Sequence, residues 1–144
     1  MIILIIYLVF NYIFGIYIIN SNNMFPSLVS GQLIIYYRLN NKFYNKDVIV
    51  YNKKLYRIVG ISNDEINIDN NYLTINGYRE EDETFYKTNK EVSSNINYPY
   101  KIEKDKYFVL NDYRLDTNDS RLFGAINKEE IDGLLIASIK IRDF

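Results

Sequence analysis

The sequence contains no cysteine and no histidine. These two absences exclude disulfide bonds, thiolate chemistry, Cys/His metal sites and a Ser-His-Asp catalytic triad. The 17 Lys and Arg residues nearly balance the 18 Asp and Glu residues, so charge gives no indication of nucleic acid as a partner. No linker-sized Pro, Gly or Ser tract divides the 144 residues. We therefore expect one compact domain with no cofactor and no metal ion.

The N-terminal segment, residues 2–19, is an apolar and tyrosine-rich run interrupted only by Asn11 and Gly15. Eighteen helical residues cover about 27 Å, close to the ~30 Å thickness of a bilayer core. This predicts a transmembrane helix, with residues 1–20 as a membrane anchor. A cleaved signal peptide and a buried core helix are the alternatives, but no basic residue precedes the run and no A-x-A-like site follows it. Because the first basic residue is Arg38, charge leaves the orientation open.

The rest of the chain is predicted to be mainly β. Short runs rich in β-branched and aromatic residues alternate with Asn, Asp and Gly, which is typical of strands and tight turns. The predicted strands are residues 33–37, 47–51, 55–61, 65–68, 72–75, 106–110 and 134–141. They favour an antiparallel sheet or irregular barrel.

Turn and loop signals lie between these strands. Asp69-Asn70-Asn71 predicts a hairpin, and Asn127 is placed to cap a short helix over residues 127–132. Residues 79–105 are polar and weakly patterned, so a longer excursion is expected there. The acidic run 79–83 is interpreted as part of a solvated loop.

Three motifs carry a possible function. The first is Ser21-Asn22-Asn23-Met24-Phe25-Pro26-Ser27-Leu28 and the second is Tyr56-Arg57-Ile58-Val59-Gly60. The third is Asn111-Asp112-Tyr113-Arg114, followed by Thr117 and by Asp119-Ser120-Arg121-Leu122-Phe123-Gly124. In this order, behind a hydrophobic N-terminal segment, they resemble the motifs of the type I signal peptidases. The resemblance covers about residues 2–142.

The resemblance implies an architecture and a location. Type I signal peptidases are membrane-anchored serine proteases with a Ser nucleophile and a Lys base. We therefore expect a signal-peptidase-like antiparallel β-sheet or barrel domain behind one N-terminal transmembrane helix. Residues 1–20 would be the single-pass anchor in the cell membrane, and residues 21–144 would lie outside it.

The two residues that perform the chemistry in that family are replaced. Asn23 stands at the nucleophile position, and an amide nitrogen cannot attack a peptide bond as an alkoxide does. Tyr56 stands at the base position, and a phenol with a pKa near 10 is a poor base at neutral pH. Ser21 and Ser27 lie too far along the chain to substitute as nucleophile. Lys54 is either a displaced base with nothing to deprotonate or part of an exposed turn.

Other residues are assigned roles by the same resemblance. Ser21 matches a hydroxyl that helps to form the oxyanion hole, and Thr117 matches a hydroxyl that orients the Lys. Four charged residues would form a supporting network beneath the site: Asp112, Arg114, Asp119 and Arg121. A peptide-binding groove is expected to use Met24, Phe25, Ser27, Leu55 and Ile58.

These observations predict a membrane-anchored, signal-peptidase-like protein that binds an extended polypeptide without cutting it. The resemblance includes proteins of Gram-positive pilus gene clusters that lack the Ser and the Lys and are needed for sortase-driven pilin polymerisation. Pilin or secretory precursors are therefore the expected partners, with sortase or pilin subunits as further candidates. Two alternatives remain open: an active signal peptidase that cleaves secreted or pilin precursors, and a small membrane-associated β module unrelated to peptides.

Overall fold

The computed structural model of the chain describes residues 1–80 and 86–140. Two sequence-based predictions extend beyond these residues: the acidic positions 81–83 of the predicted solvated loop and the end of the last predicted strand at residue 141. The N-terminal half contains α1 (Ile2–Ile13), β1 (Phe14–Ile18), β2 (Leu33–Tyr37), β3 (Val48–Tyr51), β4 (Lys54–Gly60), β5 (Glu65–Asp69) and β6 (Tyr72–Ile75). The C-terminal half contains β7 (Tyr78–Arg79), β8 (Tyr100–Lys101), β9 (Lys106–Leu110), α2 (Ser120–Phe123), β10 (Ile126–Asn127), a 3-10 turn (Lys128–Glu130) and β11 (Ile131–Ile139).

The strands form two antiparallel sheets. The larger sheet has seven strands in the order β1-β2-β11-β3-β4-β9-β10, and the smaller has four in the order β7-β6-β5-β8. The prediction of a mainly β, antiparallel domain is therefore confirmed. All seven predicted strands are present within the described residues, and three of them, residues 33–37, 72–75 and 106–110, have the predicted bounds.

The turn chemistry explains much of this agreement. Asn70 and Asn71 connect β5 to β6 with φ angles of 47° and 68°, the left-handed conformation that a two-residue hairpin turn requires. The predicted helix at residues 127–132 is shorter than expected and is a 3-10 turn, Lys128–Glu130. The Glu130 carboxylate accepts hydrogen bonds from the backbone and side-chain nitrogens of Asn127. This local closure leaves Ile131 free to begin β11.

The N-terminal segment differs from the sequence-based prediction. The predicted helix over residues 2–19 is wrong, because α1 ends at Ile13 and the chain continues as β1, which pairs with β2. Gly15 lies opposite Tyr36 in this pairing, and a Cβ at Gly15 would come within 2.0 Å of the Tyr36 ring. Glycine weakens a helix and permits this close approach, whereas the following Ile-Tyr-Ile favours a strand. In residues 1–80 and 86–140, no helix combines the length and apolar character needed to cross a membrane.

Three adjoining hydrophobic clusters hold the sheets together. Met24, Ile34 and Leu55 belong to the first, Ile49, Tyr56 and Ile58 to the second, and Ile66, Phe108 and Leu110 to the third. Because β4 contributes to all three clusters, its backbone is fixed on both faces. The segment that follows β9, the strand paired with β4, is thereby held in position relative to β4.

The fold brings the three sequence motifs together. Strand β4, which contains Tyr56, pairs with β9, and Arg57 lies opposite Leu110. The segment that follows β9 then returns to the first motif, where the Tyr113 backbone N–H donates to the Asn23 carbonyl oxygen at 2.9 Å. A site can therefore form between residues 21–23, β4 and residues 111–118.

Candidate functional site

A cavity of about 230 Å³ lies where the three motifs meet, and we call it the polar cavity. Residues 21–23 form one part of its lining, Lys54 and Tyr56 of β4 form a second part, and residues from the 111–118 segment complete it. Asn23 and Tyr56, the two positions identified from the sequence, therefore line the same cavity.

The Asn23 side chain is fully hydrogen-bonded inside the protein. Its Nδ2 donates to the Leu55 carbonyl oxygen at 2.6 Å and to Asn111 Oδ1 at 2.8 Å. Its Oδ1 accepts a hydrogen bond from the Ser21 hydroxyl at 2.6 Å. An amide nitrogen has only two hydrogens to donate, and both are used in these bonds. The Asn23 side chain therefore links the first motif to β4 and to the segment after β9.

The Tyr56 ring is buried and packs against other aromatic rings. Its centroid lies 6.0 Å from that of Tyr51 and 6.2 Å from that of Phe123, the latter in an edge-on arrangement. Burial, followed by the charges of Asp119 and Asp116, raises the pKa of the Tyr56 phenol to about 12. The phenol is therefore protonated at physiological pH and cannot act there as a general base.

Two other groups at the polar cavity were considered from the sequence as substitutes. The Ser21 hydroxyl donates its hydrogen to Asn23 Oδ1 rather than to a basic nitrogen. Lys54 is exposed and lines the cavity, and its ammonium group makes no hydrogen bond or ion pair within the described part of the chain. The structure thus places a hydroxyl and an amine at one cavity without a hydrogen bond between them.

The charged residues beneath the cavity form two distinct ion pairs. Asp119 and Arg121 are completely buried, and the Arg121 Nε and Nη2 atoms donate to the two carboxylate oxygens at 2.9 and 2.7 Å. Asp112 pairs with Arg57, whose Nε and Nη2 donate at 2.7 and 2.6 Å. Both pairs are bidentate, which fixes the relative orientation of the groups.

Two members of this arrangement were not identified from the sequence. Arg57 belongs to the second motif but was not assigned to the charge network; its position directly after Tyr56 was the available signal. Asn111 was noted only as a departure from the family pattern, yet its Nδ2 donates to the Asp116 carbonyl oxygen at 3.0 Å and its Oδ1 accepts from Asn23. The predicted residue Arg114 donates to the Asn111 carbonyl oxygen at 2.5 Å.

The Thr117 hydroxyl has a partner outside the three motifs. It donates to the Glu91 carboxylate, which also accepts from the backbone N–H and the hydroxyl of Ser93. The hydrogen bond from the Ser93 hydroxyl, followed by that from Thr117, lowers the pKa of the Glu91 carboxyl to about 2. Thr117 therefore attaches the 86–99 excursion to the site, a contact that no local sequence pattern indicates.

The five residues predicted to bind a peptide lie in different environments. Met24, Leu55 and Ile58 are at most 1% exposed and pack in the hydrophobic core, so the structure does not present their side chains to a groove. Phe25 is 41% exposed and Ser27 is exposed. Of the five, only Phe25 and Ser27 therefore have exposed side chains. In the described ranges, no group of three or more acidic side chains is arranged to hold a metal ion.

Comparisons with known proteins connect this site to a family. Residues 1–139 match the family model for signal peptidase, peptidase S26. The chain is 31% identical over 147 residues to signal peptidase I P of Bacillus subtilis subsp. natto, covering 91% of this chain and 80% of that protein. It is 28% identical over 142 residues to signal peptidase I S of Bacillus subtilis strain 168, covering 88% of this chain and 77% of that protein.

A solved structure has the same fold. A crystal structure of a signal peptidase I from Enterococcus faecalis V583 aligns with a TM-score of 0.51 at 24% sequence identity. The alignment covers 66% of this chain and 97% of that one. The expected resemblance to the type I signal peptidases is thus confirmed at the level of sequence family and fold.

Proposed function

The chain belongs to the signal peptidase family, peptidase S26, and we propose that it is a non-catalytic member that binds an extended polypeptide without hydrolysing it. One observation carries the proposal: the Asn23 amide, at the position of the family nucleophile, donates both of its hydrogens to Leu55 and Asn111. An amide held in this way offers no lone pair to a scissile carbonyl. Tyr56 supports the same conclusion, since its raised pKa keeps it protonated.

The alternative, an active signal peptidase, needs another nucleophile at the same cavity. Ser21 is the nearest hydroxyl, but its hydrogen is engaged by Asn23 Oδ1, and Lys54 makes no hydrogen bond to it. Activation of a serine requires its hydroxyl to lie within hydrogen-bond reach of a base. The geometry therefore favours binding without cleavage.

Polypeptide binding does not depend on the lost chemistry. An extended chain can bind through backbone hydrogen bonds while pockets accept alternate side chains. The exposed Phe25 side chain lies two residues after Asn23, which lines the polar cavity, and this supports a path for the polypeptide along the first motif. The partner we propose is a pilin or secretory precursor, and the biological role is assistance in sortase-dependent pilin assembly.

We also propose that the N-terminal helix α1 attaches the chain to the cell membrane, with the β domain outside the cytoplasm. The exposed apolar surface of α1 supports membrane contact, because its large side chains from Ile2 to Phe10 are 44–84% exposed. A continuous apolar surface of this kind is unusual on a protein that is surrounded only by water. Flotation of the full chain with phosphatidylglycerol-containing vesicles tests the attachment, and failure of the chain to float would contradict it.

A direct test compares binding with cleavage. The full chain in detergent is mixed with a fluorescently labelled pilin precursor that retains its signal peptide; anisotropy reports binding and intact mass reports cleavage. Signal peptidase I P of Bacillus subtilis subsp. natto serves as the positive control for cleavage. We expect binding with no change in mass. Cleavage by this chain would overturn the proposal in favour of an active peptidase.

The location of the binding surface is tested with a pair of matched substitutions. Phe25→Asp places a charge on the expected path. Leu39→Asp makes the same change outside the first motif, at a residue of similar exposure, 45% against 41% for Phe25. We expect at least a tenfold loss of precursor affinity for Phe25→Asp and little change for Leu39→Asp. Equal effects of the two substitutions would contradict binding at this motif.

Restoring the family residues tests whether the site descends from a peptidase centre. Asn23→Ser combined with Tyr56→Lys is expected to give measurable cleavage, whereas either change alone is not. Because Asn111 Oδ1 loses its donor when Asn23 is replaced, adding Asn111→Gly is expected to increase the restored activity. If none of these combinations cleaves the precursor, the cleft itself has diverged from a catalytic geometry.

A further inference from the structure

We propose that the polar cavity is a binding pocket for an acidic side chain, Asp or Glu, of the extended polypeptide. This inference rests on the proposed function and specifies the chemistry of the bound chain. The cavity, at about 230 Å³, is larger than a single side chain and leaves room for a small number of waters.

Several residues that line the cavity carry side-chain hydrogen-bond donors with no partner in the described structure. They are Lys54 with an ammonium group, Asn22 and Asn118 with amide nitrogens, and Tyr56 and Tyr113 with phenol hydroxyls. Asn23 and Asn111 also line the cavity, but their amide hydrogens are used in bonds within the protein. A carboxylate, which only accepts hydrogen bonds, can therefore bind to these unused donors.

The charges at the cavity support the same choice. Lys54 is the only cation among the lining residues, and no ion pair neutralises it in the described structure. Asp116 is the only lining anion, and its Oδ1 already accepts the Asn118 backbone N–H at 3.0 Å. An incoming carboxylate would therefore be attracted by Lys54 and repelled by Asp116, and these two residues are expected to change the preference in opposite directions.

The test uses a pair of small probes that differ in one group: the N-acetyl, α-amide derivatives of glutamate and glutamine. Both are titrated into the isotope-labelled full chain in detergent, and NMR shifts of the Asn22 and Asn118 side-chain amides report occupancy of the polar cavity. We expect the glutamate probe to bind roughly twofold to fivefold more tightly, the range of an exposed ion pair. The preference should weaken as salt is raised, because the charges are solvent-accessible.

Three variants separate this inference from general electrostatics. Lys54→Met should abolish the preference for glutamate, whereas Lys53→Met, at the neighbouring exposed lysine outside the cavity lining, should not. Asp116→Asn keeps an oxygen for the Asn118 backbone N–H and should increase the preference. Equal binding of the two probes to the unmodified protein, shifts elsewhere in the protein, or a preference that survives Lys54→Met would overturn the inference.

A second pair of ligands distinguishes this inference from the proposed function. Ten-residue extended peptides that differ by one Glu or Gln are titrated in the same way. If both peptides bind at the cavity with equal affinity, the acidic preference is refuted while polypeptide binding stands. If the glutamate probe binds preferentially but no peptide or precursor binds, the pocket is supported while the proposed function is refuted.

Discussion

Replacing Asn23 by aspartate tests whether the Asn23 amide holds three segments of the chain together. The substitution preserves the shape of the side chain but removes both Nδ2 hydrogens. The Leu55 carbonyl oxygen and Asn111 Oδ1 would then face a carboxylate instead of a donor, at distances now 2.6 and 2.8 Å. Because Asn23 is only 6% exposed, water cannot readily replace the lost bonds.

The expected loss of stability follows from these two contacts. Each buried acceptor left without a donor costs about 1–3 kcal/mol, so the pair costs roughly 2–6 kcal/mol. That is a large share of the ~5–15 kcal/mol that stabilises a typical domain. At roughly 2–4 °C per kcal/mol for a chain of this size, the unfolding midpoint should fall by about 4–24 °C. Thermal unfolding of the full chain in detergent, followed by circular dichroism, measures this shift.

A pH profile identifies the cause of the loss. Burial and the facing oxygens should raise the pKa of the introduced carboxyl in the folded state above its unfolded value near 3.9. Protonation then favours the folded state, so the deficit should shrink as the pH falls through the folded-state pKa and be smallest below about 3.9. The protonated acid also regains one donor.

The matched control is Asn22→Asp, the same chemical change at the adjacent residue. Asn22 is exposed, and its Oδ1 accepts the Ser30 backbone N–H at 3.0 Å, a role that a carboxylate oxygen also performs. We expect a change within about 0.5 kcal/mol for this variant. If Asn23→Asp and Asn22→Asp unfold at the same temperature, the hydrogen bonds from Asn23 to Leu55 and Asn111 do not stabilise the fold as argued.

Three further substitutions test separate parts of the structure. Tyr56→Phe should reduce the loss of stability that urea unfolding measures between pH 10 and 12. The pKa of the Tyr56 phenol is about 12 in the folded state and near 10 in the unfolded state. The phenol therefore stabilises the native state below pH 10, and this stabilisation is lost as the pH rises through 12. Glu91→Gln should reduce the loss of stability at acid pH in the same measurement, since a carboxyl with a pKa of about 2 when folded adds stability above its usual pKa that disappears as the pH falls through 2. Thr117→Val, which removes one hydrogen bond to this carboxylate, should weaken that effect. An unchanged loss of stability at acid pH in either variant would contradict the contact. Gly15→Ala should lower the free energy of unfolding by about 1–3 kcal/mol, because the new Cβ overlaps the Tyr36 ring. A neutral result would mean that β1 does not pair with β2 as described.

The strands of the domain were predictable because their signals are local. Residues 72–75 and 106–110 combine β-branched and aromatic residues with flanking Asn or Asp, and left-handed turns such as Asn70-Asn71 suit those residues without strain. Strands of two residues, such as β7 and β8, have no such pattern, because only their partners in the smaller sheet define them.

The N-terminal segment was not predictable in the same way. A continuous apolar run is compatible with a helix and with a strand, so periodicity alone cannot distinguish them. The deciding contact joins residues 14–18 to residues 33–37, a pairing between distant positions that only the folded chain reveals. Gly15 was visible in the sequence as an interruption, but the reason for a glycine at this position is the Tyr36 ring packed against it.

The candidate site shows the same division between local and distant information. The order of the motifs identified Asn23 and Tyr56, and the structure places both at the polar cavity. The partners of these motifs were harder to identify, because Arg57 with Asp112 and Glu91 with Thr117 join residues 55 and 26 positions apart. A sequence motif identifies residue types, whereas hydrogen-bond partners from separate segments are identified only by the distances between them in the folded chain.

Hydrogen bonding also explains why asparagine, rather than a smaller residue, suits position 23. Removing a side chain there would leave the Leu55 carbonyl oxygen and Asn111 Oδ1 buried without a donor, and each such group is costly. An amide satisfies both oxygens and accepts the Ser21 hydroxyl as well. Asn23 and Asn111 are therefore physically coupled, since the Asn23 amide donates to the Asn111 oxygen. A substitution at either position should destabilise the other, so the two residues are expected to change together.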